Sequence, residues 1–291
     1  MQRKPILCHR ADYHAAAAER TMTTALSSIA FIGGGNMANA MIGGLLQLSP
    51  RPRITVADPD AAKRDILVAK GCHATSDNAA AIVGAQIVVL AIKPQVAGQV
   101  VPGLAAAWKP QQILVSILAG MPIPKLAGWL PAGAHIVRAM PNTPLAIGQG
   151  MVGLCAGSAA TSADLALTES LFAPCGKVLR VSDESRMDAI TAVSGSGPAY
   201  FFRFAEALVA GAMALGFTHD EAVLLVGQTG AGSWEYLQRS GFEAAKLREQ
   251  VTSPGGTTAA ALKTLDAADF VGLVTRALQA AEQRGKELAA G

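Results

Sequence analysis

What this chain has little of narrows it first. Aromatic residues occupy only 5% of its 291 positions, and the formal net charge is +3, from 24 Lys and Arg against 21 Asp and Glu. No basic stripe and no interleaved aromatic series stands out, so neither a phosphate-neutralising surface nor a base-stacking platform is indicated, and nucleic acid is not an expected partner. Apolar runs are short. The most apolar, AQIVVLAI at 85–92, has the length of a buried strand and falls well below the ~18 residues of a membrane span, so no membrane partner is expected either. The four cysteines, Cys8, Cys72, Cys155 and Cys175, show no Cys-x-x-Cys spacing. They read as small buried residues of a protein from a reducing compartment, with cytoplasmic localisation expected and no metal site.

What is present suits a globular chain. Hydrophobic residues make up 51% of it, enough for one large domain or two modest ones. Residues 1–28 stand apart: they have no clear periodicity and no continuous apolar core of a secretory signal, and they include a second methionine, Met22. The expectation there is a disordered extension, or a true start at Met22; Asp12 and Glu19 weigh against a transit peptide.

From Ile29 to about Arg180, short apolar runs alternate with helical-length segments, the rhythm of β-α-β units and a parallel sheet. SIAFIG, RITVAD, QIVVLAI, QILVSIL, HIVRAM and KVLRV are the candidate strands. After Asp183 every long segment reads as helix, several too apolar to stay exposed on a monomer. The expected fold is therefore α/β, with an N-terminal Rossmann-like parallel-sheet domain over 29–183 and an all-helical dimerisation domain over 184–291.

The glycine turn Ile32-Gly33-Gly34-Gly35-Asn36-Met37-Ala38 follows a strand and opens a helix, giving Gly-x-Gly-x-x-Ala in the context that makes the pattern meaningful. Gly33 permits the tight turn, Gly35 lets backbone approach a pyrophosphate, and Ala38 allows close helix packing, while free helix amides favour the anion. A plain Gly-rich turn is the bland alternative. Asp58 ends the second strand near the ~20-residue spacing of a ribose-binding carboxylate, which favours NADH; Lys63 and Arg64 follow and suit a 2′-phosphate, leaving the choice open. Asp58 also reads as a helix cap in Asp58-Pro59-Asp60.

Further along, Ala91-Ile92-Lys93-Pro94 closes a strand at the edge where open α/β sheets bind ligands, and Pro94 holds Lys93 extended over the crevice. In Arg138-Ala139-Met140-Pro141-Asn142-Thr143-Pro144, two prolines stiffen a loop in which Asn142 offers an amide to a carboxamide such as that of nicotinamide; a rigid turn explains it equally well. Ser194-Gly195-Ser196-Gly197-Pro198 echoes a hydrolase elbow but has no preceding strand. The stretch Thr252-Ser253-Pro254-Gly255-Gly256-Thr257-Thr258 places hydroxyls and two glycines directly before a helix, either as a cap or as an anion nest.

Taken in order, FIGGGNMA, AIKPQ, SILAG, VRAMPNTP, AVSGSGPAYFF and VTSPGGTTAAAL make the chain from about Ile29 onward resemble the pyrroline-5-carboxylate reductases. The resemblance implies hydride transfer from NADPH or NADH to the cyclic imine 1-pyrroline-5-carboxylate, giving L-proline. It also implies a helical domain through which two subunits interlock, often in rings of dimers. Carried over by position, Ile32 to Met37 hold the pyrophosphate, Asn78 the adenosine side, and Ala91 to Pro94 with Ile117, Leu118 and Ala119 the nicotinamide half. Ser253, Gly255, Gly256, Thr257 and Thr258 receive the substrate carboxylate, with Thr258 the candidate hydrogen-bonding partner at the ring nitrogen. Asp58 departs from the family's usual small or basic residue and puts cofactor preference in question. The alternatives kept open are a reductase of a related cyclic imine and a non-enzymatic nucleotide-sensing Rossmann protein. A hydroxy acid dehydrogenase would need a lysine on the helix between Met187 and Leu208, and none is there.

Overall fold

The computed structural model describes residues 26–290; Cys8 and residues 1–25 of the expected extension 1–28 lie outside that range, and the extension's last residue, Ser28, begins the first strand. One eight-stranded sheet organises the first half, in the order β3-β2-β1-β4-β5-β6-β7-β8. These strands are Ser28–Ile32, Arg53–Ala57, His73–Thr75, Ile87–Leu90, Ile113–Ser116, His135–Met140, Gly150–Ala156 and Gly176–Val181 for β1 to β8. The order reverses at β1, which pairs with β2 on one side and β4 on the other. That reversal opens a crevice at the carboxyl ends of β1 and β4, where this class of sheet receives ligands.

The alternating strand periodicity explains the two-sided core. In β1, Ile29 and Phe31 face a cluster with Met41, Leu45, Leu67, Val89 and Phe172. Ala30 and Ile32 face the other side, with Leu90, Leu104, Leu114, Leu126 and Ile136. All six strands read from sequence are present. Two more, β3 and β7, carry no strong sequence signal.

The expected all-parallel sheet needs one correction: β7 runs antiparallel to β6. The connection between them is a short stretch with a 3₁₀ turn, Thr143–Ile147, closed by Gly148 at φ 73°. A parallel return requires about a dozen residues or more, and this connection is too short. β8 then pairs parallel to β7 through the helix Ser162–Phe172.

Beyond Val181 the chain is helical. The first long segment after Asp183, read as helix, is interrupted: Arg186–Ile190 leads into a π-turn at Thr191–Gly195, and Gly197–Ala214 follows with Pro198 near its start. Ser196 N–H donates to Thr191 O at 2.8 Å, closing the wide turn. The sequence places Gly195 where a Cβ would come within 2.4 Å of Met140 Cε, so the turn lies directly on the end of β6. Thereafter His219–Ser240, started by a Thr218–Glu221 capping box, pairs with Gly197–Ala214, and Phe201 meets Trp234 edge-on at 5.6 Å. Thr257–Ala267 and Phe270–Ala290 complete the chain.

Candidate functional site

The glycine turn is built for close approach. Gly33 has φ 100°, and a Cβ there would stand 2.5 Å from Ala91 O, so only glycine lets β1 and β4 meet at this point. Its N–H donates to Ala57 O at 2.8 Å, while Ala91 N–H donates to Ile32 O at 2.8 Å, tying three strand ends together. Ile32 is fully buried, so it offers the crevice backbone only. At Gly35 nothing lies within 4 Å of a Cβ position. Gly35 is also the N-cap of the helix Asn36–Leu45, with no side-chain cap and no acidic residue in the first turn. The helix therefore presents the amides of Asn36, Met37 and Ala38 beside open space, the arrangement that receives a phosphate group. These residues fit a dinucleotide.

Asp58 sits differently from the ribose reader expected of it. It is only 5% exposed. Its Oδ2 accepts from Gly34 N–H at 2.8 Å and its Oδ1 from Asp60 N–H at 2.9 Å. The carboxylate is turned inward as a brace for the glycine turn, and the capping alternative is met by Asp60, which accepts from Ala62 N–H. Around it, Lys63 Nζ stands 3.8 Å from Asp58 Oδ2, and Arg64 donates to Asp58 O and Pro59 O at 2.8 and 2.9 Å. The strand end thus carries an outward-facing positive edge over an inward-facing acid.

The remaining candidates line the same edge with unequal exposure. Asn78 begins the helix Asn78–Ile82 beyond β3, capped by Asp77. Lys93 is exposed and extended, at φ −70° and ψ 137°, before the turn that Pro94 begins. Ala91 and Ile92 are half-buried. Of the loop after β5, Ile117 and Ala119 face outward to different degrees, while Leu118 is 2% exposed and belongs to the core. Asn142 is occupied as well: its Oδ1 accepts from Met151 N–H at 2.9 Å and its amide lies 3.4 Å from Ser194 Oγ. The rigid-turn reading describes Asn142 better than carboxamide recognition does.

The second glycine loop has its own geometry. Pro254 and Gly255 form the corner of a β-turn, with Gly255 at φ 70° and Gly256 N–H donating to Ser253 O at 3.0 Å, the pattern of a type II turn. Gly256, not Thr257 or Thr258, is the N-cap of Thr257–Ala267, and no side chain caps that helix. A Cβ at Gly256 would stand 2.4 Å from Ser253 Oγ, so glycine here brings the serine hydroxyl over the helix start. Among the described residues, no side-chain hydrogen bond or ion pair joins 253–258 to the sheet half.

One buried ionic group escaped the sequence reading. The Arg138 side chain, on β6, is 4% exposed and donates to Glu184 Oε1 and to Asp188 Oδ1, each at 3.1 Å. Glu184 Oε1 also accepts from Ile123 N–H at 2.8 Å. The available signal was the arginine inside the apolar strand HIVRAM, since a buried arginine requires partners. Nearby, the buried thiol of Cys155 is pushed above its usual pKa mainly by burial and then by the Glu184 charge, with Arg138 opposing. Burial likewise raises Cys72 and Cys175; all three are free and buried.

Comparison with known proteins gives a consistent result. Residues 184–288 match the family model described as pyrroline-5-carboxylate reductase dimerisation, and residues 28–120 match one described as NADP oxidoreductase coenzyme F420-dependent. The chain is 43% identical over 263 residues to a pyrroline-5-carboxylate reductase of Pseudomonas aeruginosa, covering 90% of this chain and 96% of that protein. Its fold is similar to the solved structure of a pyrroline-5-carboxylate reductase from Coxiella burnetii, at a TM-score of 0.85 and 38% identity, over 91% of this chain and 99% of the other. A Plasmodium falciparum pyrroline carboxylate reductase solved with NADP bound gives a TM-score of 0.80 at 28% identity, over 92% and 100% of the two chains.

Proposed function

The chain belongs to the family of pyrroline-5-carboxylate reductases, and from that premise we propose how its residues divide the work. It is an NAD(P)H-dependent oxidoreductase whose reaction is the reduction of 1-pyrroline-5-carboxylate to L-proline. The relatives do not favour a non-enzymatic nucleotide sensor.

The observation that carries the assignment of roles is the pair of uncapped helix starts behind glycine turns, at Gly35 and at Gly256. The first, with Gly33 and Gly34, receives the pyrophosphate of the nucleotide; Asn36, Met37 and Ala38 supply the amides. Asn78 borders the adenosine side. Ala91, Ile92, Lys93 and Pro94, with Ile117 and Ala119, border the nicotinamide half, and Leu118 contributes only by holding that loop on the core. When bound, the nicotinamide supplies hydride to the imine carbon of a substrate whose ring nitrogen already carries its proton, so the product is the neutral cyclic amine.

The second helix start receives the substrate carboxylate through the amides of Thr257 and Thr258 and the Ser253 hydroxyl, with Gly255 and Gly256 letting the backbone curve around it. Thr258, half-buried in the first helical turn, is assigned the hydrogen bond near the ring nitrogen. Positioning of this kind is worth several kcal/mol without a dedicated proton donor. Because the loop lies in the helical half, whose apolar faces are shared with a second copy, the crevice is completed across a homodimer. A further ring of dimers is the assembly expected of it, measurable as a mass by light scattering. The free buried cysteines support a cytoplasmic setting.

For the adenosine end we infer a preference for NADPH over NADH. Asp58 is committed to Gly34 and Asp60, whereas the Lys63 ammonium, 3.8 Å from Asp58 Oδ2 on a side chain 47% exposed, is positioned to turn toward a 2′-phosphate. Following nicotinamide absorbance with 1-pyrroline-5-carboxylate and each nucleotide at equal concentration tests both readings: the expected result is turnover with both and a higher kcat/KM for NADPH. No turnover from folded, nucleotide-binding protein would redirect the assignment to a related cyclic imine.

A further inference from the structure

The loop that follows β5 is held at Gly120 and at Ile123 by residues from beyond β8, and one guanidinium links the two holds. At its far end, Ile123 N–H donates to Glu184 Oε1 at 2.8 Å. The same oxygen accepts from Arg138 at 3.1 Å, and the other arm of Arg138 reaches Asp188 at 3.1 Å. Asp188 packs on Gly285 of the last helix, where a Cβ would stand 3.3 Å from Asp188 Cβ. One turn on, Leu288 packs on Gly120, whose φ is 65° and where a Cβ would stand 3.1 Å from Leu288 Cβ, leaving no comfortable room for a side chain. The path closes on the loop it began from.

We infer that Glu184 and Arg138 are positioning residues that hold the nicotinamide-side loop, 117–122, in fixed alignment with the helical half of the chain. This rests on the reductase reading. Arginine suits the task because its planar fork fixes two carboxylates at a set angle, which a lysine ammonium does not. The connection also continues into the π-turn: the helix Arg186–Ile190, which carries Asp188, runs directly into Thr191–Gly195, and that turn rests on Met140 at the end of β6. Thus the loop, the end of β6 and the start of the helical half share one buried ionic centre. A small displacement of one shifts the others, and misalignment of about 1 Å at a reacting centre costs on the order of 100-fold in rate.

Two substitutions at Glu184 separate geometry from charge. Glu184→Gln keeps an oxygen at the position that meets Ile123 N–H and Arg138 but removes the charge; Glu184→Asp keeps the charge and withdraws the oxygen. With NADPH and 1-pyrroline-5-carboxylate, Glu184→Asp is expected to lower kcat by about tenfold, while Glu184→Gln stays within about threefold of the native enzyme. For both, the dissociation constant of NADPH alone, read by fluorescence, is expected within about threefold of native, because the pyrophosphate seat at Gly33–Gly35 lies outside the path. The reverse order, with Gln the worse variant, overturns the inference in favour of an electrostatic role. So do unchanged kcat in both variants, or a fall in kcat that tracks melting temperature and NADPH affinity together. The native enzyme measured alongside keeps the two readings apart: its failure to turn over would remove the reductase premise itself.

Discussion

The two halves of the chain differ in where their cores are. In the sheet half, Phe31, Ile32, Val89, Leu90 and Phe172 are fully buried by their own chain. In the helical half, Met187 and Ala192 are buried where it joins the sheet, but from Gly197 to Ala289 the buried residues are Gly197, Ala222 and Gly285, and none of these is large. Phe201, Phe202, Trp234 and Leu224 lie more than half exposed there. The sheet half satisfies its hydrophobic surface internally; the helical half leaves an apolar surface of a size that monomers rarely keep. The match of 184–288 to a dimerisation family fits the contrast: this half keeps its apolar surface for homo-oligomerisation.

The comparison is broken most severely by charging the helical face. Phe202→Glu is expected to reduce turnover by about 100-fold and to shift sedimentation toward the monomer, since truncation or charging of a central interface aromatic costs 2 kcal/mol or more. Phe31→Ala in the sheet half is the control: about 3–5 kcal/mol of stability lost from a core cavity. Melting temperatures sharpen the contrast. The native helical half should melt with a midpoint that rises with protein concentration, as assembly requires.

Within the sheet half, the glycines of the turn separate space from function. Gly35→Ala, whose Cβ would meet nothing within 4 Å, should leave stability within about 0.5 kcal/mol, as surface changes do, yet weaken NADPH binding by on the order of 30-fold. Gly33→Ala is expected to lose stability as well, because its Cβ would stand 2.5 Å from Ala91 O. Calorimetry together with nucleotide titration distinguishes the two.

A smaller effect is expected at the other glycine loop. Thr258→Ala should lower kcat by about tenfold, the value of one hydrogen bond to a charged group, with NADPH affinity unchanged. Full turnover in this variant would remove Thr258 from the chemistry. The smallest effect belongs to the solvent edge. Lys63→Ala should raise KM for NADPH by about fivefold and leave NADH unaffected, as expected for an exposed ion pair.

Much of this was legible in the sequence. Six strands announced themselves by alternating apolar runs, and the glycine turn by its place between strand and helix. The TSPGGTT loop was legible for the same reason: Pro254 and Gly255 impose a turn wherever they occur together, and Gly256 leaves the next helix uncapped. Less legible were features whose meaning depends on a distant partner. Asp58 has the spacing of a ribose reader, but its carboxylate faces Gly34 and Asp60. Asn142 has the chemistry of a carboxamide reader, but Met151 N–H takes its oxygen. Arg138 sat unremarked inside a strand because Glu184 and Asp188, its partners, lie more than forty residues away.

By itself, then, the sequence determined the elements, the two glycine turns and the division into a sheet half and a helical half, because periodicity and backbone freedom are local properties written in neighbouring residues. The tertiary structure alone decided that β7 returns antiparallel, that Asp58 braces the turn, and that Arg138 joins the loop after β5 to the last helix. Each of these depends on which carboxylate, amide or strand edge is brought within about 3 Å of another, and that distance is set by the packing of the whole chain.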